Sequence, residues 1–300
     1  MERRAGLAAC VLMALLVAAP AAPAAEGPAA AGVVHFLSAP TPPTELQRRL
    51  ARQRGEARPA PRPGLELGAR LTRPRGPGPF PAVVLLHGCT GASPAQDDWA
   101  AELAGWGFVA LQVDSFAARG VSETCTTTAG PNAGPLVFDA FGALAWLRGQ
   151  PLVDARRVAV MGWGHGGTAA LDSVLATGTA SVFDIGFAAA VALYPYCPGK
   201  IARRYLAPIL VLAGGRDDLM PAARCRRIAA NPETGGDRIT LVVYDGAYYG
   251  FDDPALGAPH PVPDVLNIER SPPRGATFGY DAAAHADALR RVRTFLERFM

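Results

Sequence analysis

The chain has 300 residues, half of them hydrophobic and 18% charged, with 33 glycines and 28 prolines. That is enough apolar material for one sizeable core, and it excludes a chain disordered throughout. Twenty-nine basic residues against 26 acidic ones leave a formal charge of +3; this is too small and too scattered for a polyanion surface, so no nucleic-acid partner is expected.

The N-terminus, Met1-Glu2-Arg3-Arg4, precedes an apolar run at 7–19 and a small-residue site, Ala22-Pro23-Ala24. These are the three parts of a secretory signal. Residues 1–25 are therefore expected to be a leader cleaved near Ala24 or Ala25, with the protein periplasmic or secreted. The run falls short of the roughly 20 apolar residues of a spanning helix and is broken by Pro20 and Pro23, so no stable membrane anchor is expected. Cys10 precedes the apolar run instead of following it, which argues against a lipid attached there. The Arg3-Arg4 pair leaves twin-arginine export as open as the general route. Cleavage leaves Cys89, Cys125, Cys197 and Cys225, an even number in an oxidising compartment, which implies two disulfides with all three pairings open; four buried free thiols are the alternative. No Cys/His cluster has metal-ligand spacing, so neither metal nor cofactor is expected.

Residues 26–63 are rich in Pro, Ala and Arg, with a short apolar Val33-Val34-His35-Phe36 and a helical stretch at 45–53. They read as a peripheral lead-in to one domain at 64–300. Strand-like runs come next at 82–87, 108–113, 158–163, 188–193, 209–213 and 239–244, and helical stripes at 95–104, 136–147 and 281–299. This alternation predicts an α/β fold with a mostly parallel central sheet and helices on both faces. The Pro-rich stretch 252–278 lacks periodicity and reads as a surface excursion.

One turn carries chemistry. Val158-Ala159-Val160-Met161-Gly162-Trp163-Gly164-His165-Gly166-Gly167 is a strand entering a glycine-dense turn, with a helix expected from about Thr168. Such a turn is the nucleophile elbow, usually Gly-x-Ser-x-Gly, whose outer glycines are required because a side chain there would strike the neighbouring strand or helix. Laid on Gly162 and Gly166, the nucleophile position is Gly164. A lone glycine-rich turn is weak evidence, but the context is consistent. Leu86-His87-Gly88-Cys89-Thr90-Gly91 ends an earlier strand, Gly214-Gly215-Arg216-Asp217-Asp218 a later one, and Asp245-Gly246-Ala247-Tyr248-Tyr249-Gly250-Phe251 the next. The order nucleophile, acid, histidine is that of α/β-hydrolases.

From about Leu65 to Met300 the chain resembles the dienelactone hydrolase family of α/β-hydrolases, on the His-Gly-Cys loop, Val113-Asp114-Ser115-Phe116, the elbow, and Gly215-Arg216-Asp217-Asp218 with Pro221. The resemblance implies an eight-stranded or similar hydrolase sheet and cleavage of esters or lactones by a Cys or Ser nucleophile, an Asp and a His. It puts the acid at Asp217 and the oxyanion-hole amides at Cys89 and His165. It puts Gly164 where the family has its nucleophile and Tyr249 where it has its histidine. Glycine has no atom to attack with, and a tyrosine with an ordinary pKa near ~10 is a poor base at neutral pH. Its hydroxyl is expected instead to donate to Asp217.

These departures lead to an exported pseudo-hydrolase that binds a small carboxylate, ester or lactone with little or no turnover. Two alternatives stand beside it: an active hydrolase using His165 or Cys89, and a scaffold-only interaction module whose cleft is filled by aromatics such as Trp163 and Tyr248. The first has counterarguments in the residues themselves. His165, following the elbow position, is expected to give its amide while its ring packs elsewhere, and Cys89 is expected in a disulfide; a pairing with Cys125 leaves Cys197 to Cys225. His285 reads as a surface or packing histidine and Ser115 as a turn residue. No protein partner is implied.

Overall fold

A computed structural model of the chain describes residues 30–128, 130, 132–197, 204–231 and 238–300. The leader expected at 1–25 lies outside the described residues.

Strand β1 (Ala30–Leu37) pairs antiparallel with β2 (Glu66–Arg73), and between them runs helix α1 (Glu45–Arg54), capped at Thr44 by a reciprocal capping box with Gln47. The supposed lead-in thus supplies an edge strand of the main sheet. Phe36 and Ala39 are buried in its core, a correction to its reading as peripheral. The apolar run was too short, and too crowded by Pro, Ala and Arg, for its pairing with a strand some 35 positions later to be legible.

Then come β3 (Phe80–Leu86), α2 (Pro94–Gly105), β4 (Val109–Val113), α3 (Ala133–Arg148), β5 (Val153–Trp163) and α4 (His165–Ser173). The chain continues through β6 (Ala190–Leu193), β7 (Ile209–Gly214), α5 (Ala222–Ala229) and β8 (Ile239–Tyr244). The eight-stranded sheet runs β1-β2-β4-β3-β5-β6-β7-β8, antiparallel at β1, β2 and β4 and parallel from β4 to β8. The central strands are apolar on both faces because helices cover both. Leu136, Leu144 and Ala170 of α3 and α4 pack on one side. Trp99 and Leu103 of α2, with Val292 and Leu296 of α6 (Ala282–Phe299), pack on the other.

The stretch read as a surface excursion holds a second, two-stranded sheet of β9 (His260–Leu266) and β10 (Arg274–Phe278). Its prolines sit in an exposed hairpin, where a missing N–H is tolerated, and they hid the strand pattern. No helix among the described residues is long and apolar enough to cross a membrane.

Candidate active site

In open α/β sheets, ligands gather beyond the C-terminal ends of the strands. Cys89, His165, Tyr194, Asp217 and Tyr249 all lie there, after β3, β5, β6, β7 and β8. The chain turns from β5 into α4 on Gly164, at φ 51° and ψ −111°, a backbone that L side chains rarely adopt. α4 starts at His165, three residues before the expected position. A Cβ on Gly162 would run into the Gly166 carbonyl, and one on Gly166 would reach 2.5 Å from the His87 carbonyl oxygen, so β5, the β3 loop and α4 are as close as an elbow requires.

The space a side chain at Gly164 would use is occupied. A Cβ there would overlap the Tyr249 hydroxyl oxygen, with Cζ at 3.1 Å. Tyr249 is only 7% exposed, held between Tyr194 and Phe278 with ring centroids 4.6 Å from each. Burial, followed by the Asp217 charge, raises its phenol above the ordinary tyrosine range, and the hydroxyl donates to no group among the described residues.

Asp217 accepts from the Leu219 and Met220 amides at 2.9 and 2.8 Å on Oδ1, while Oδ2 has no partner. The expected bond from Tyr249 to Asp217 is therefore not made. A histidine ring carries an N–H part-way along its edge, whereas tyrosine has carbon there and its one donor at the far tip, which lies beside Gly164. Burial pushes the Asp217 carboxyl up to about 7 despite its two amide donors.

Sequence reasoning missed Asp252. Fully buried, it accepts from Trp99 Nε1 and Trp163 Nε1 at 2.8 and 2.7 Å on Oδ2, and from the Tyr194 hydroxyl at 2.8 Å on Oδ1. Burial raises its carboxyl against these donors. The bond to Tyr194 helps hold that residue at φ 38°, a strained value for a side-chain-bearing residue. Its partners stand 58 to 153 positions away, so no local motif announces the cluster.

The structure joins Cys89 to Cys125 and Cys197 to Cys225. Cys89 and Cys125 help line a cavity of about 480 Å³ that also touches His165, Thr168, Met220 and the β9–β10 segment. Tyr249, Trp163 and Tyr248 do not line it; Tyr249 and Trp163 instead border a separate void of about 60 Å³ with Tyr194 and Asp252. The aromatics expected to fill the cleft therefore leave it open. His165 is among the residues that line this cavity, while its Nδ1 is buried and unpartnered; burial, then nearby His87, lowers its pKa and keeps it neutral. His87 ties two strand ends together, contacting the Gly88 carbonyl through Nδ1 and accepting the Ser115 amide on Nε2. His285 packs beside Trp99, with centroids 5.9 Å apart. No group of three or more potential metal ligands occurs among the described residues.

The sequence profile of the dienelactone hydrolase family matches residues 67–300. The chain belongs to this family. Among curated relatives, an uncharacterized protein of Mycobacterium tuberculosis is 30% identical over 199 residues, 59% of this chain and 64% of the relative; the chain thus spans less than two thirds of that relative's length. Among solved structures, a dienelactone hydrolase-like promiscuous phosphotriesterase from metagenomic libraries superposes with a TM-score of 0.62 at 19% identity, covering 90% of this chain and 99% of that one. Esterase 2 of Thermogutta terrifontis superposes with a TM-score of 0.56 at 20% identity, covering 78% and 90%. This dienelactone hydrolase family member shares their fold.

Proposed function

We propose that this protein is an exported, ligand-binding member of the ester and lactone hydrolase class whose elbow is plugged and whose ester turnover is lost. The observation that carries the reading is the overlap of the Tyr249 hydroxyl with the side-chain space of Gly164. Acyl transfer needs a nucleophile, a base and an orienting acid acting as a unit. Here the nucleophile position holds no side chain, and the residue at the base position is a buried phenol with a raised pKa. Asp217 lacks the N–H it would orient. Removing such a unit costs about 10⁶ in turnover. Cys89 as a relocated nucleophile is disfavoured because its sulfur is bonded to Cys125. Two disulfides support an oxidising compartment, in line with the leader expected at 1–25.

The test is hydrolysis of phenyl acetate and p-nitrophenyl butyrate. The unaltered protein should not exceed the buffer rate measurably, and Gly164→Ser with Tyr249→His together should create turnover that neither change gives alone. Ordinary enzyme rates of about 1 s⁻¹ or more from the unaltered protein overturn the proposal.

A further inference from the structure

A second cavity, of about 520 Å³, shares no lining residue with the elbow or with the cavity beside it. Its volume suits a small organic molecule. Its wall joins residues 38–65 to the start of α3 and to Arg119, which follows β4. The first of these segments is tightly built. The Ser38 amide donates to the Leu65 carbonyl at 2.8 Å and the Leu65 amide to Ser38 Oγ at 2.9 Å, while Thr41 and Arg62 exchange both backbone bonds at 3.0 and 2.9 Å. Gly64 permits this approach, since a Cβ there would overlap the Ser38 carbonyl oxygen. The Ala39 amide then ties the ribbon to α3 through the Phe138 carbonyl at 2.9 Å. Arg62 therefore stands on a backbone that is fixed before any ligand arrives, between Pro61 and Pro63, whose rings restrict φ.

The charges at this wall are of one sign. Among the described residues, Arg62 and Arg119 line the cavity and no Asp or Glu does. Arg119 is balanced by the buried Asp139, which takes two of its N–H groups while a third goes to the Ser115 carbonyl; two of a guanidinium's five donors remain. Arg62 is exposed and makes no ion pair or side-chain hydrogen bond among the described residues. Glu66 does not balance it: Phe36 and Leu67 take the face of the β1–β2 pair that packs on α3, which leaves Glu66 on the opposite face, across from Leu37. The first turn of α3, at Gly134 and Pro135, adds the positive end of a helix dipole. Leu65, Pro135 and Phe138 give the wall an apolar side, and Thr41 and Thr179 contribute hydroxyls. A cation would be repelled here and a neutral guest would leave the charge of Arg62 unused, whereas an anion with an apolar body matches both surfaces.

We propose that this cavity is a second binding site, for a small organic carboxylate with an apolar tail, its anionic head on Arg62 and its tail against Leu65, Pro135 and Phe138. The site is independent of the elbow and of whether the elbow turns anything over. Ser38, Thr41, Arg62, Pro63 and Leu65 all precede the stretch at 67–300 that matches the family, so half of the wall comes from the N-terminal segment particular to this chain.

The matched probes are 4-phenylbutanoate and 4-phenylbutanamide, an uncharged molecule of the same shape. Both are titrated calorimetrically into the disulfide-intact protein at neutral pH and low salt, with acetate as a head without a tail. The phenylbutanoate should bind saturably with a Kd of about 1 mM or tighter, and the amide and acetate at least about tenfold more weakly. Arg62→Gln, at an exposed position without a side-chain partner, should weaken the phenylbutanoate by about tenfold or more with the melting temperature unchanged. Ile268→Trp, at an exposed position lining the other cavity, should leave its binding as it is. Amide or acetate binding as tight as that of phenylbutanoate, no saturable binding at millimolar concentration, unchanged affinity in Arg62→Gln, or loss of binding in Ile268→Trp overturns the proposal. The plugged elbow is tested separately by the ester assay, and its failure there would leave this site standing.

Discussion

Replacing Gly164 with alanine asks directly whether the Tyr249 hydroxyl occupies the elbow. In the unaltered protein the new methyl group overlaps the phenol oxygen, and the ring is held in place, being 7% exposed and packed at 4.6 Å on Tyr194 and Phe278. Overpacking of this kind costs about 1–3 kcal/mol. A side chain at φ 51° adds about 1–3 kcal/mol of backbone strain, so Gly164→Ala should destabilise by roughly 2–6 kcal/mol in all. In a Tyr249→Phe background the oxygen is gone and the nearest remaining atom is Cζ at 3.1 Å, a fit that shifts of a few tenths of an ångström relieve. There the same change should cost little beyond the backbone strain. Tyr249→Phe alone should be nearly neutral, within about 1 kcal/mol, because the hydroxyl gives up no hydrogen bond. Urea unfolding of the four proteins at neutral pH, followed by tryptophan fluorescence with the slopes compared, yields a coupling energy of about 1–3 kcal/mol in favour of the double variant. Additivity to within about 0.5 kcal/mol would mean that the hydroxyl and the elbow do not share space, and the explanation of lost chemistry would fall with it.

Asp217→Asn probes the orphaned carboxyl. With a folded pKa of about 7 against about 3.9 unfolded, Asp217 stays protonated in the fold while the unfolded chain ionises. Its stability contribution is therefore complete below about pH 4 and is lost as pH rises to about 7. Relative to the asparagine variant, the unaltered protein should lose about 1.4 kcal/mol per pH unit over that window, about 4 kcal/mol in total, then run parallel; pH-independent differences in urea midpoint would refute the assignment. Asp252→Ala strands two indole N–H groups and one phenol and should cost at least about 3 kcal/mol, with a shift in tryptophan emission, whereas Asp252→Asn, which can still accept from both indoles, should cost far less. The buried Asp139 receives a bidentate pair from Arg119 at 2.8 and 2.9 Å, so Asp139→Ala should lower stability by about 3–5 kcal/mol in thermal melts. Removing the Cys197–Cys225 bond, which spans 28 positions, by paired Ala substitutions should cost about 3 kcal/mol in the same assay.

Local spacing made much of the scaffold legible. Five of the six expected strands, β3 to β7, are apolar because helices bury both faces, and that composition is visible in short windows of the chain; the elbow glycines are equally local, being demanded by close backbone approach. So were the missing side chain at Gly164 and the phenol at Tyr249, which are single-position facts. Other features are created only when distant segments meet. The edge strand before α1 needs its partner at 66–73 to exist, and the prolines of the β9–β10 hairpin conceal a pairing that only the fold reveals. Asp252 acquires its three donors from α2, β5 and the end of β6. Above all, tertiary packing decided where the tip of Tyr249 lies. Sequence placed its hydroxyl against Asp217, but the length of a phenol ring carries that oxygen past the carboxylate to the elbow, leaving one carboxyl oxygen bare and an open, uncharged cavity alongside.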